Sequence, residues 1–243
     1  MHLPLLLLLF LLLPLVAGAW VRFRVEGTTR IKLLLAFSGA FLLSVTVLHM
    51  LPELYERGGH GIGTWLLAGF MFQVVLEYFS HGIEHGHVHV HLPGKGHGRS
   101  QAVPMATLFS LCLHSFTEGI PFADARVGGD IAFVAGVLLH KMPMAIALAT
   151  VLRAAHSGAL RSWVILTVFA LAAPAGIAVG AWLGADIGED FLVRALALAI
   201  GMLLHISTTI IFETTPEHRF DARRFLTIVA GVLLGLATAH LGH

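Results

Sequence analysis

The stretch IAFVAGVLLHKMPMAIALATVL, residues 131–152, decides the fold class. It has 22 residues, and Lys141 is its only Lys, Arg, Asp or Glu. At about 1.5 Å of rise per residue, a helix of this length crosses the roughly 30 Å of hydrocarbon in a bilayer. Similar apolar runs recur along the chain between short polar breaks. We therefore predict an all-α, polytopic membrane helix bundle with eight spans: Leu3–Val21, Ile31–Leu54, Thr64–Phe79, Met105–Phe122, Ile131–Leu152, Trp163–Leu183, Phe191–Phe212 and Phe225–Leu241.

The composition agrees with a membrane protein and excludes several other classes. The 243 residues are 57% hydrophobic and 12% charged, with a formal net charge of +1. Soluble domains carry about 25% charged residues, so a soluble globular protein is excluded, and so few charges make no surface for nucleic acid. Cys112 is the only cysteine, which rules out an internal disulfide and a thiolate cluster. We expect one transmembrane domain, residues 1–243, with a histidine-rich cytoplasmic loop at residues 80–104.

The basic residues of the loops predict the orientation. Alternate loops hold eleven and three Lys or Arg residues, and the richer set faces the cytoplasm. Both termini then lie outside the cytoplasm. We expect a multi-pass protein of the cell membrane, which in a bacterium is the inner membrane. The first run could instead be a secretory signal ending at Ala17-Gly18-Ala19, but no basic residue precedes it, which favours a retained helix. The richer set is Arg22, Arg24, Arg30, Lys32, Lys95, Arg99, Arg153, Arg161, Arg219, Arg223 and Arg224, and the poorer set is Arg57, Arg126 and Arg194.

Ionisable side chains inside the spans are the first candidates for a functional site, because they are costly in lipid. At 1.5 Å per residue, His114 lies roughly 14 Å into the fourth span and His140 roughly 14 Å into the fifth, from opposite sides. Each is thirteen residues from Val127, near the centre of the connecting loop, so we expect the two imidazoles to face each other. Glu118 follows His114 by four residues, and Met144 follows His140 likewise, so each pair shares a helix face.

Two imidazoles and a carboxylate are suitable ligands for Zn²⁺ or a similar divalent ion, with a coordination position left for water or exchange. We expect Gly119, Pro121, Gly136 and Pro143 to interrupt both helices near this group. Other interpretations stay open. The two histidines could merely form hydrogen bonds across a helix interface, or ligate haem in a b-type electron carrier. A metallohydrolase lacks support, since no span contains His-Glu-x-x-His.

At these residues the chain resembles the ZIP (Zrt/Irt-like) family of divalent-metal transporters. Residues 114–119, HSFTEG, resemble the family's His-(Asn or Ser)-x-x-Glu-Gly signature, and residues 140–144, HKMPM, resemble its fifth-span motif. HMLPE at residues 49–53 and PAG at residues 174–176 are further matches. The resemblance implies eight helices, outside termini and a cytoplasmic histidine-rich loop. It also implies metal ligation by His114, Glu118 and His140, with Ser115 as a weaker oxygen donor.

Three departures from the family pattern limit what the resemblance implies. Met144 stands where many members have a carboxylate, Lys141 where binuclear members have an acid or amide, and Ala173 where they have Glu. A fixed ammonium can take the place of a second cation and pair with Glu118. We therefore predict a single site for the transported metal, with the ammonium of Lys141 in the place of a second metal ion. Met144 is a candidate fourth ligand.

The loop between the third and fourth spans is a second candidate for metal binding. His85, His87, His89 and His91 alternate with other residues, so an extended backbone would place all four imidazoles on one side. Neutral imidazole binds metal, so affinity should fall as the pH drops through about 6.5. We expect this loop to collect or sense metal in the cytoplasm; a solvated linker and a pH-responsive segment are the alternatives.

Other ionisable residues mark expected ends of a metal path. His49 and Glu53 are candidates for the external entrance, and an ion pair with Lys or Arg is the competing interpretation. Candidates for the cytoplasmic exit are Glu77, His81, His205 and Glu213.

These features together predict a transporter and not an enzyme. It would carry Zn²⁺, or Fe²⁺, Mn²⁺ or Cd²⁺, into the cytoplasm, with no cofactor. No P-loop sequence is present, so the metal gradient or a coupled ion would drive transport. Export is the alternative direction. The expected partners are divalent metal ions and the lipid bilayer, without nucleic acid, and a homodimer is left open.

Overall fold

The computed structural model describes residues 2–23, 28–80, 82, 105–213 and 221–241. The regular structure within these ranges is helical, which confirms the predicted all-α class. A π-helical turn, Thr46–Met50, joins the second helix to the third, and a 3₁₀ turn, Ile120–Ala123, follows the fifth. The helices are α1 (Leu3–Phe23), α2 (Thr28–Val45), α3 (Leu51–Gly58), α4 (Ile62–Ser80), α5 (Met105–Gly119), α6 (Ala125–Gly129), α7 (Ile131–Ala154), α8 (Ala159–Ile187), α9 (Glu189–Glu213) and α10 (Ala222–Leu241).

Seven stretches of the described residues are long and apolar enough to cross a membrane. Each contains or coincides with most of one predicted span. The remaining predicted span, Met105–Phe122, corresponds to α5, which has 15 residues, and the 3₁₀ turn of 4 residues after it. At about 1.5 Å and 2.0 Å of rise per residue, these two segments together reach about 30 Å. The count of eight spans and the side on which the termini lie stay predictions. The seven stretches are Leu3–Val21, Ile31–Gly58, Ile62–Ser80, Ile131–Ala154, Ala159–Ile187, Glu189–Phe212 and Ala222–Ala239.

Prolines explain two of the irregular turns. Pro52 lies just after the π-helical turn, where its ring would clash with the carbonyl four residues earlier in a regular helix. Pro121 lies in the 3₁₀ turn that ends α5. The prediction that both site helices are interrupted is wrong for α7, which continues through Gly136 and Pro143. Pro143 is buried inside this helix, and Pro174 likewise lies inside α8.

The helices form two packed groups around the predicted site. In the first group, α1 packs against α7 and α8, and α5 packs against α8. In the second group, α4 packs against α9, and α2 packs against α9 and α10. Contacts of α2 with α7 and of α4 with α5 join the two groups. The fourth and fifth predicted spans, α5 and α7, therefore pack mainly against other helices and not against each other. Side chains bridge the space between α5 and α7.

Glycines permit the closest helix contacts. A Cβ atom at Gly176 of α8 would lie 2.0 Å from the carbonyl oxygen of Phe116, and one at Gly119 would lie 2.3 Å from that of Ala173. Backbone cannot move aside as a flexible side chain can, so only glycine fits at these two positions. This close approach fixes the end of α5 that carries Glu118.

Two apolar clusters lie on either side of the site. One includes Phe10, Phe122 and Phe133, and the other includes Leu111 and Leu148. Along the chain, His114 falls between Leu111 of the second cluster and Phe122 of the first, and His140 falls between Leu138 of the first cluster and Met144 of the second. The site is thus enclosed by apolar side chains, which strengthens electrostatic interactions inside it.

Candidate metal centre

Three side chains form a buried group that could hold a metal ion. His114 and Glu118 come from consecutive turns of α5, and His140 comes from α7. The Nε2 atom of His114 lies 2.8 Å from Oε1 of Glu118, and Nε2 of His140 lies 4.0 Å from the same oxygen. One ligand atom from each residue fits within 4.8 Å of the others, and all three residues are fully buried or nearly so. The structure thus brings together the side chains that the sequence predicts to converge.

The two imidazoles face each other, as the equal distances from Val127 predict. Their ring centroids are 5.9 Å apart, and the ring planes are nearly perpendicular at 80°. Val127 itself is buried in α6, a short helix in the connection between α5 and α7.

Lys141 occupies the other side of the same carboxylate. Its ammonium donates hydrogen bonds to Oε2 of Glu118 and to Oγ of Ser115, each at 2.7 Å, and the residue is fully buried. The aromatic ring of Phe10 lies 5.9 Å from the ammonium nitrogen. The two carboxylate oxygens of Glu118 are therefore divided between different partners: Oε1 faces the histidines and Oε2 the ammonium.

Gln73 contacts the site from α4, and it is not among the residues predicted from the sequence. Its Oε1 atom lies 2.8 Å from Nδ1 of His114, and both side chains are fully buried. A search for ionisable residues inside the spans does not find an amide. The available signal was the position of Gln73 as an uncharged polar residue in an apolar run, one helical turn before Glu77.

Two further predicted ligands, Ser115 and Met144, contact other protein groups. The hydroxyl of Ser115 accepts a hydrogen bond from Lys141. Met144 is fully buried in the apolar cluster that contains Leu111 and Leu148. Metal ligation by Ser115 or Met144 stays a prediction.

The predicted entrance residues have protein partners. Arg57 of α3 binds Glu53 one turn earlier at 3.2 Å, and it also binds Asp124 and, at 3.0 Å, Glu189. His49 has its Nδ1 atom 3.7 Å from a carboxylate oxygen of Asp130, at the start of α7. The ion pair considered as the alternative for Glu53 is therefore present, with an arginine that links three parts of the chain.

Two of the predicted exit residues lie together. The Nδ1 atom of His205 on α9 lies 3.4 Å from Oε2 of Glu77 on α4, and its ring packs edge-on against Phe70. The side chain of Glu213 and the residues His81, His85, His87, His89 and His91 lie outside the described part of the structure.

The family of the chain follows from a comparison of its sequence with sequence models of known protein families. The sequence model of the ZIP zinc transporter family matches residues 94–241, more than half of the 243 residues. The chain belongs to the ZIP zinc transporter family. No curated protein sequence matches the chain significantly.

Membership of the ZIP family establishes divalent-metal transport as the general function and agrees with the apolar helices and the buried His/Glu/His group. ZIP proteins are multi-pass membrane transporters of divalent metals and not enzymes. The matched range contains His114, Glu118 and His140, whereas Gln73 and Glu77 precede it. The contact of α4 with the site is therefore seen in the structure and does not come from the match to the family.

Proposed function

We propose that the chain carries Zn²⁺ or a similar divalent transition metal into the cytoplasm through a site made by His114, Glu118 and His140. The observation that carries this proposal is the buried group of two imidazoles and one carboxylate, with ligand atoms within 4.8 Å of one another. Imidazole favours zinc and its neighbours over Mg²⁺ and Ca²⁺, which prefer oxygen ligands.

The distances suit capture of one ion with small side-chain movements. Tetrahedral ligands at about 2.0–2.1 Å from Zn²⁺ are about 3.3 Å apart. The atoms of His114 and Glu118 are now 2.8 Å apart, and those of His140 and Glu118 are 4.0 Å apart. The first distance would open and the second would close, each by less than about 1 Å, to hold the ion.

Lys141 supports the proposal of a single transported ion. Its ammonium lies against Oε2 of Glu118, where a second cation would otherwise meet the carboxylate. A divalent ion placed there would face a fixed positive charge in a low-dielectric region. We therefore assign the ion to the Oε1 side of Glu118, between the histidines.

A path toward the cytoplasm follows α4 and α9. Gln73 contacts His114, and Glu77 lies one turn further along α4 beside His205. The 3.4 Å between Glu77 and His205 is close to the separation of two ligands on one tetrahedral ion. Glu213 and the histidine-rich loop would continue this path, with His49 and Glu53 at the external end.

The haem alternative is unfavourable at this site. Oε1 of Glu118 is close to Nε2 of both histidines, and a porphyrin held between the imidazoles would have to displace it. A purified sample without a Soret absorption band would dismiss that alternative.

Zinc uptake into proteoliposomes tests the proposed function. His140→Ala should abolish uptake, because it removes one of three ligands, while His60→Ala at an exposed turn should leave uptake unchanged. Uptake at the wild-type rate by correctly folded His140→Ala protein would overturn the site assignment. Competition with iron, manganese and cadmium, measured in both directions across the vesicle, tests the metal and separates uptake from export. A homodimer stays open.

A further inference from the structure

Gln73 of α4 makes a hydrogen bond to His114 from outside the first helix group. We propose that Gln73 is a positioning residue that sets the metal affinity of His114: its neutral amide fixes the imidazole yet keeps metal binding weak enough for release. This inference rests on the proposed function of the His114 site.

The geometry determines which imidazole nitrogen meets the metal. Nδ1–H of His114 donates to Oε1 of Gln73 over 2.8 Å, so Nε2 is the nitrogen directed toward Glu118. In metal sites the partner of the second imidazole nitrogen fixes the tautomer and the ring orientation. Gln73 therefore orients Nε2 of His114 toward the position of the ion.

Packing alone does not account for a glutamine at this position. The amide nitrogen of Gln73 is buried, and it has no hydrogen-bond partner among the described residues. A buried donor without a partner costs free energy that methionine or leucine of similar size would avoid. The retained amide is explained by its oxygen, which accepts the hydrogen bond from His114.

The surrounding helices hold Gln73 firmly. On α5, the Ser110 hydroxyl donates to the carbonyl of Leu76 at 2.6 Å, which ties α5 to the next turn of α4. One turn before Gln73, a Cβ atom at Gly69 would lie 2.0 Å from the carbonyl oxygen of Leu198, so α4 and α9 are in backbone contact. Gln73 is thus presented to His114 from a helix that both α5 and α9 hold in place.

The choice of an amide over a carboxylate has a chemical consequence. A carboxylate hydrogen-bonded to Nδ1–H makes the imidazole a stronger metal ligand, and such partners change metal affinity by about 10–100-fold. An amide gives the same orientation with less added basicity. For a transported ion, that combination allows binding without making dissociation slow.

Two substitutions separate orientation from affinity. Gln73→Met removes the acceptor at similar size and should weaken zinc binding about 10–100-fold. Gln73→Glu keeps an acceptor oxygen and should tighten zinc binding, lowering both KM and the maximal uptake rate. Ser38→Ala is the control, because the Ser38 hydroxyl is buried on α2 and donates to the carbonyl of Leu35 in its own helix.

The experiment uses full-length protein, with zinc affinity measured by competition with a chelating dye and uptake measured in proteoliposomes. Nitrogen-15 NMR of metal-free protein reports the tautomer as the proton on Nδ1 of His114, which should be fully present in wild type and Gln73→Glu but only partly present in Gln73→Met. Wild-type affinity and an unchanged tautomer in Gln73→Met would overturn the inference, as would weaker zinc binding by Gln73→Glu. If wild type transported no zinc, the proposed function would fail, while the tautomer would still test the role of Gln73. If Gln73→Met did not fold, Gln73→Glu and its tautomer would decide.

Discussion

Replacing Lys141 with methionine should expose how strongly the site depends on its internal cation. The ammonium is 2.7 Å from Oε2 of Glu118, and both residues are fully buried or nearly so. With an effective dielectric constant of about 20, two unit charges at this distance attract by about 6 kcal/mol. Removing one partner of a buried pair costs about 3–5 kcal/mol, because the other charge is left without compensation. We expect Lys141→Met to lose about that much unfolding free energy when metal is absent.

A divalent ion should partly replace the lost ammonium. Without metal, a loss of 3–5 kcal/mol corresponds to a fall in Tm of roughly 6–20 °C for a chain of this size. Zinc should then raise the Tm of Lys141→Met by more than it raises that of wild type, since the ion supplies the missing positive charge. Thermal unfolding in detergent, with zinc and with chelator, measures both effects.

The controls distinguish charge from packing. Lys141→Arg keeps the cation, and the double variant Lys141→Met with Glu118→Gln removes both charges. The double variant should recover stability relative to Lys141→Met without gaining zinc-dependent stabilisation. If Lys141→Met matched wild type in chelator, or if zinc stabilised the two proteins equally, the assigned role of Lys141 would be refuted.

Two further predictions test the packing and the path around the site. Gly176→Ala should destabilise the protein by more than about 1–3 kcal/mol, because the added Cβ would lie 2.0 Å from the carbonyl oxygen of Phe116. Gly61→Ala, with open space around its Cβ, should change stability by less than about 0.5 kcal/mol; equal Tm values for the two variants would contradict this reasoning. His205→Ala should lower the maximal zinc uptake rate by about threefold or more with little change in KM, since it acts after the ion has bound. Unchanged uptake kinetics would remove Glu77 and His205 from the proposed exit path.

The convergence of His114, Glu118 and His140 was predictable because each step depends on local geometry. Glu118 is four residues from His114, which places both on one helix face. The two histidines are equally far from a short connection, which places them at one level. The contact of Lys141 with Glu118 follows from the same arrangement, since a buried ammonium needs a carboxylate.

Contacts between distant helices were not predictable in this way. Gln73 meets His114, and Glu77 meets His205, because α4 packs against both α5 and α9. The apolar pattern of a membrane span identifies a helix but does not specify its neighbours, since lipid and protein interior are both apolar. The contacts of Arg57 with Asp124 and Glu189 were missed for the same reason.

The charges around Glu118 explain why this site suits a transported ion better than a permanently bound one. One carboxylate and one ammonium balance when the histidines are neutral, so the metal-free site already has little net charge. A divalent ion adds two positive charges within an apolar enclosure, beside a fixed ammonium that repels it. A structural zinc site is commonly closed by four protein ligands, whereas the described part of the chain brings together three His and Glu side chains here. Weak charge compensation and an open coordination position both favour release, and a neutral Gln73 behind His114 acts in the same direction.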